Sequence, residues 1–160
     1  MSGREPSVTR RDDGAFDVDI APEQRDVLRE LPAQLRELLA NGDAETDAAL
    51  RRLFPSADPG DPAHAAEFDQ MVRGDLTAER GSAIETMERT IDADRLSEDE
   101  LLGWLGVVND LRLVLGTRLE VTEESGPEDF EGSDPRAHAY ALYAYLSFLE
   151  EQIVEALSPG

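Results

Sequence analysis

The sequence predicts a mainly α protein: a single-domain helical bundle with an N-terminal β-hairpin and one central buried helix. Three observations carry that prediction. Residues 97–119, SEDELLGWLGVVNDLRLVLGTRL, are apolar almost all round at helical spacing, as a buried helix is. Two more segments, 22–40 and 135–157, repeat apolar residues every three or four positions. Residues 16–20 instead alternate, Phe16, Val18 and Ile20 with Asp17 and Asp19, the period of a half-buried strand. At 160 residues the chain can bury one core and not comfortably two, so 1–160 is read as one domain.

In chain order, residues 7–20 form the hairpin. Val8 belongs to its first strand and Asp12-Asp13-Gly14 supplies the turn. The Asp-Asp-Gly turn is not a calcium loop, because Arg10 stands where an oxygen ligand is needed. An isolated hairpin is marginal in water, so its Phe-Val-Ile face is expected to pack on helices. The helical region spans 22–157. Its first helix, 22–40, starts on Pro22 and turns Val27, Leu28, Leu31, Leu35, Leu38 and Leu39 to one side. Pro32 removes an internal hydrogen bond, which predicts a kink or break. A short helix over 46–54, a loop, and a modest helix over 63–72 follow. Residues 76–91 then form a helix with Ile84, Met87 and Ile91 on one face, and 92–95 link it to the central helix.

The central helix opens with a capping box, Ser97 with Glu100. Leu101, Trp104, Val108, Leu111 and Leu115 make its main stripe, Asp110 keeps its far side polar, and Gly116 is expected to end it. Leu119 and Val121 read as a short strand or extended chain, and 123–134 as an acidic loop anchored by Phe130. The last helix, 135–157, takes Asp134 as cap. Its main stripe is His138, Leu142, Tyr145, Leu149 and Ile153; Tyr140, Tyr143 and Val154 form a second.

Composition narrows function more by exclusion than by assignment. The formal charge is −21, and every positive residue is Arg. Non-specific DNA binding runs on neutralising phosphates with Lys and Arg, so direct DNA recognition needs a local basic patch. The adjacent pairs Arg10-Arg11 and Arg51-Arg52 are too short to make one. With no cysteine in the sequence, disulfides, thiolate metal sites and thiol nucleophiles are ruled out within this chain. His64 and His138 are isolated, and no metal site is expected. No signal-peptide core or membrane-length apolar run occurs, so the expectation is a cytoplasmic protein without a membrane partner. The carboxylate pairs Asp12-Asp13, Asp92-Asp94 and Glu98-Asp99 sit beside no apolar pocket that would tune them for acid–base work. There is no glycine-rich phosphate loop and no nucleophile elbow. The reading is no enzyme, no cofactor and no catalytic residue.

Candidate site residues are partner-contacting or buried polar groups. Arg112 lies about 20° from Leu101 around the helix, inside the apolar stripe. A buried guanidinium must be paired, and Glu150 or Glu151 of the last helix are the expected partners. Asn109, one turn earlier, is expected to cap a neighbouring loop carbonyl. Tyr140, Tyr143 and Val154 fit either ordinary core or a face for a protein partner, a homodimer included.

The segment WLGVVNDLRLVLGTRL, with Asn109-Asp110-Leu111-Arg112, Gly116 and Arg118 at its centre, resembles the hallmark of an actinobacterial domain-of-unknown-function family, numbered two thousand and seventeen. RRLFPSADPGDPAHAAEFDQMV and the YAYLSFLEEQ region agree with it. Members of that family are commonly encoded beside the ClpS protease adaptor and a cysteine-biosynthesis cluster. Some are labelled oxidative-stress transcriptional regulators that act with a sigma factor. The resemblance thus implies a stress-response regulator working through protein contact, with RNA polymerase or a sigma factor as partner. A non-catalytic adaptor linked to proteolysis is the alternative, and a small-ligand binder or enzyme the third. The family's cysteine-based redox sensing cannot carry over to a chain without cysteine.

Overall fold

The computed structural model describes residues 5–41, 78–120 and 135–159. The expected helices over 46–54 and 63–72, the strand residue Val121, the 123–134 loop with Phe130, the Asp134 cap, His64 and Arg51-Arg52 lie outside those residues. The architecture is mainly α with a small antiparallel sheet. Strands β1 (Ser7–Arg10), β2 (Phe16–Asp19) and β3 (Arg95–Leu96) lie in the order β1-β2-β3. Helices α1 (Pro22–Asn41), α2 (described over 78–90), α3 (Glu98–Arg118) and α4 (Ala137–Leu157) complete it.

The expected hairpin is present, with Val8 opposite Val18 and Arg10 opposite Phe16. Gly14 turns it at φ +89, where a side chain would be strained. The structure extends the hairpin by a third strand. Phe16 faces Leu96, and the Val18 amide donates to the Asp94 carbonyl at 2.8 Å. The residues expected only to link two helices therefore also close a sheet edge. Opposed residues share a face, so Val8, Val18, Phe16 and Leu96 are all buried against the helices. Arg10 shares that face at its rim. Its guanidinium lies 5.1 Å from the centre of the Phe16 ring and donates to the Ala156 and Leu157 carbonyls. Helix α4 has no basic residue in its last turn, so β1 supplies the cation that its C-terminal carbonyls attract.

Helix α1 runs unbroken through Pro32, so the expected break is absent. Leu28, Leu31 and Leu35 are buried on both sides of the proline, and that packing outweighs one lost backbone bond. Val27 faces outward. Ile84, Met87 and Ile91 are buried as expected, and Ser97 and Glu100 make both halves of the capping box. At the core's centre, the Trp104 indole donates to the Thr90 hydroxyl at 2.8 Å, and that hydroxyl donates to the Thr86 carbonyl at 2.7 Å.

Four details of the helices differ from expectation. Gly116 does not end α3, which continues to Arg118, and the left-handed residue is Glu120 at φ +56. Gly116 instead lets the Tyr143 ring come close: a Cβ there would lie 3.1 Å from the ring edge. Leu119 is a buried cap residue, not a strand. Helix α4 begins at Ala137 with Arg136 at its cap and no side-chain capping bond, two residues after Pro135. His138 is exposed, not part of the buried stripe; Leu146, Leu149 and Ile153 form that stripe, with Leu142 and Tyr145 at its edge. Val154 is exposed.

Candidate functional site

The central helix is less enclosed than its composition suggests. Its buried residues are Leu101, Trp104, Val107, Val108, Asp110, Leu111 and Val114. Leu102 remains 48% exposed. Asp110, expected on the polar outer side, is instead only 7% exposed and faces α2. There the Arg80 Nε donates to its Oδ2 at 2.8 Å. Helix spacing explains the change. Gly103, Asp110 and Gly106 fall within about 60° of one another, and α2 packs against that side because two of the three have no side chain.

The two glycines do different jobs. A Cβ on Gly103 would lie 3.0 Å from the Thr86 methyl carbon, whereas one on Gly106 would meet only the Ala83 Cβ at an ordinary 3.7 Å. Thr86 is β-branched and its hydroxyl is bonded to the Ser82 carbonyl, so it yields poorly. Gly103→Ala is expected to destabilise the fold by about 1–2 kcal/mol through overpacking. Gly106→Ala is expected to stabilise it by up to about 1 kcal/mol through helix propensity. Urea-denaturation midpoints of the two variants should therefore move in opposite directions.

Beyond Gly106 the α2–α3 seam opens into a cavity of about 190 Å³, lined by Glu79, Arg80, Ala83, Gly106, Asn109 and Asp110. Burial raises the Asp110 carboxyl above the usual range, and the Arg80 guanidinium opposes the shift. Asn109 lines this cavity. Arg112 projects from another side of α3, one-third exposed, with its Nε 2.8 Å from Glu150 Oε2. The expected ion pair to the last helix is therefore in place. Tyr140 and Tyr143 pack at 6.0 Å between ring centroids near the end of α3. Arg118 lies exposed in the last turn of that helix.

The sequence-predicted residues are thus split between places. Asn109 and Asp110 share the α2–α3 cavity, Arg112 stitches α3 to α4, and Gly116 seats Tyr143 against α3. Sequence reasoning missed three polar groups that organise the interior. Arg25 is buried and donates to the carbonyls of Ile91 and Ala93, at 2.8 and 2.9 Å. Gln24 is buried and accepts from the Tyr145 hydroxyl at 3.0 Å; burial pushes that phenol up to about 12. Arg80 is the third. Gln24 precedes Leu28, Leu31 and Leu35, and Arg80 precedes Ile84, Met87 and Ile91, by four, seven and eleven residues. Helical spacing therefore places both on a buried stripe and only their polarity hid them; Arg25 lies off its stripe. Among the described residues no cluster of His, Asp or Glu could hold a metal ion, and no helix is long and apolar enough to cross a membrane.

Most described arginines are paired with the protein's own carboxylates, several of them at the surface. Arg11 pairs with Asp13 and Asp17, and Arg25 with Asp94. Arg29 pairs with Asp26 and Asp92, and Arg36 with Glu88. Arg89 pairs with Glu100, and Arg95 with Asp17. Helix α1 thus supplies the cations, and α2 with the turn after it the anions, of one seam.

A family model described as a domain of unknown function, DUF2017, matches residues 4–157, and the chain belongs to that family. The oxidative stress regulator AosR of Mycobacterium bovis is 27% identical over 187 residues, covering 94% of this chain and 85% of that protein. The protein of the same name from Mycobacterium tuberculosis strain H37Rv matches to the same extent. No solved structure matches the chain.

Proposed function

We propose that this member of the DUF2017 family is a non-catalytic regulator that acts by binding other proteins, with the transcription machinery as its partner. The similarity to proteins named oxidative stress regulators supports the regulatory half of that reading. The observation that carries the protein-contact half is that most of the described arginines are paired with the chain's own carboxylates. At most of the described arginines a DNA phosphate would have to compete with a carboxylate, against the field of a chain carrying −21. Among the described residues the cavity beside Asn109 is lined by one buried Arg–Asp pair and by no nucleophile with an adjacent base, which supports the non-catalytic reading. Oxidative signals reach this chain through a partner, since it has no thiol of its own.

Fluorescence anisotropy with the DNA upstream of its own operon tests the reading, first with the protein alone and then with RNA polymerase holoenzyme. The expected result is no specific binding by the protein alone and a shifted polymerase–DNA complex when both are present. Specific binding by the protein alone would overturn the protein-contact reading. An unchanged polymerase complex would overturn the transcription partner and move attention to the proteolytic machinery.

A further inference from the structure

Among the described residues, the strip of α3 that borders its contact with α2 is only partly covered. Leu102, Gly106, Asn109 and Leu113 recur at intervals of four, three and four residues, so they lie in one line along the helix. Leu102 is exposed, and the other three are only partly covered. Gly106 gives the strip a recessed floor, and it continues into the cavity beside Ala83 and Asn109. None of the four residues is charged, although this chain is unusually rich in charge. Its borders are different. Glu79 lines the cavity on the α2 side, and Glu98 and Asp99 stand exposed where α3 begins.

We infer that this strip docks an amphipathic, basic helical segment of a protein partner. The inference rests on the protein-contact reading above and gives it a place. Leucine-sized anchors would cover Leu102 and Leu113, a side chain would enter over Gly106, and lysine or arginine residues would meet Glu79, Glu98 and Asp99. That is the helix-in-groove mode, in which apolar spacing gives affinity and flanking charge gives orientation. A second copy of this chain fits worse, because it would bring the same carboxylates against these and add another −21 of charge. Nucleic acid fits worse for the same reason.

The test uses the full chain and a fluorescein-labelled helical peptide of leucine and lysine alone, about 14 residues long, with a scrambled peptide of equal composition. Binding is read by anisotropy and mapped by backbone amide shifts. The expected result is binding of the amphipathic peptide in preference to the scrambled one, with shifts concentrated at Leu102, Gly106, Asn109, Leu113 and Ala83. Leu102→Glu is expected to weaken binding about tenfold or more, and Val27→Glu, on an outward position of α1, to leave it unchanged. Gly106→Met fills the floor instead of adding charge, and should weaken binding as well. Equal binding of the scrambled peptide, or shifts that map elsewhere, overturns the proposal. Leu102→Glu is then carried into the polymerase–DNA assay. A polymerase effect that survives Leu102→Glu sinks the docking strip and leaves the regulatory reading standing. If the unmutated protein has no polymerase effect, the transcription reading fails, and the peptide map alone decides the strip.

Discussion

Replacing Arg80 with methionine is expected to destabilise the protein by about 3–5 kcal/mol, because it strands the Asp110 carboxylate in a site built for an ion pair. The two side chains are 17% and 10% exposed, so water from the adjoining cavity replaces the lost guanidinium only in part. The variant should also acquire a characteristic pH dependence. In the folded protein the Asp110 carboxyl is already raised by burial, with Arg80 as the opposing influence. Removing Arg80 raises it further. A carboxyl whose folded pKa exceeds its unfolded value binds more protons folded than unfolded between the two values. Its contribution to stability is full below the unfolded value and is lost as the pH climbs through the folded one. The deficit of Arg80→Met relative to the unmutated protein should therefore grow as the pH rises from below 3.8, the ordinary value for this carboxyl, towards neutrality. Denaturant melts of both proteins across that range measure it. The double variant Arg80→Met/Asp110→Leu should recover most of the loss, since an apolar pair in place of a buried ion pair is often neutral or better. A deficit that shrinks with rising pH, or a double variant no better than the single one, would contradict this account of the seam.

The same pair shows how far the sequence could be read. Residues that obey a period declared themselves. The capping box at Ser97, the hairpin alternation at Phe16, Val18 and Ile20, and the stripe through Leu101, Trp104 and Val108 all appear in the structure. Arg112 was legible for a related reason: a cation inside an apolar stripe predicts its own partner, and Glu150 is there. Asp110 was misread because periodicity reports where the apolar face lies, not whether a second helix covers the other one. That depends on Gly103 and Gly106, whose role is an absence of side chain and only makes sense once Thr86 and Ala83 are opposite. Strand β3 was invisible for a different reason. Two residues, Arg95 and Leu96, are too few to display any period, and their pairing is dictated by Phe16 and Asp17 across a long loop closure. The unbroken passage of α1 through Pro32 likewise reflects burial of Leu28, Leu31 and Leu35, a tertiary effect that overrides local propensity.

Arg25 gives the sharpest case of a residue whose worth no local pattern reveals, and Arg25→Met is expected to cost about 2–4 kcal/mol. Methionine keeps the apolar stem and removes only the guanidinium, so packing is nearly conserved. What remains are the carbonyls of Ile91 and Ala93, which lose their donors. A buried acceptor left unmade costs about 1–3 kcal/mol. The ion pair to Asp94 contributes little to this sum, because the Asp94 side chain is 91% exposed. Asp94→Asn should therefore change stability by only about 0.5 kcal/mol or less. Arg25→Lys should recover only part of the loss, since one ammonium cannot reproduce the fixed fork that spans both carbonyls. The damage should also spread to the sheet. The corner held by Arg25 presents the Asp94 carbonyl to the Val18 amide, so hydrogen exchange at Val18 should accelerate in Arg25→Met and not in Asp94→Asn. Equal losses in those two variants would place the stabilisation in the exposed ion pair. Unequal losses, with Val18 protection falling only in the first, would show that one side chain from α1 fixes both the end of α2 and the start of β3. The direction in which α3 leaves that corner then depends on Arg25 as well, and with it the position of the strip from Leu102 to Leu113.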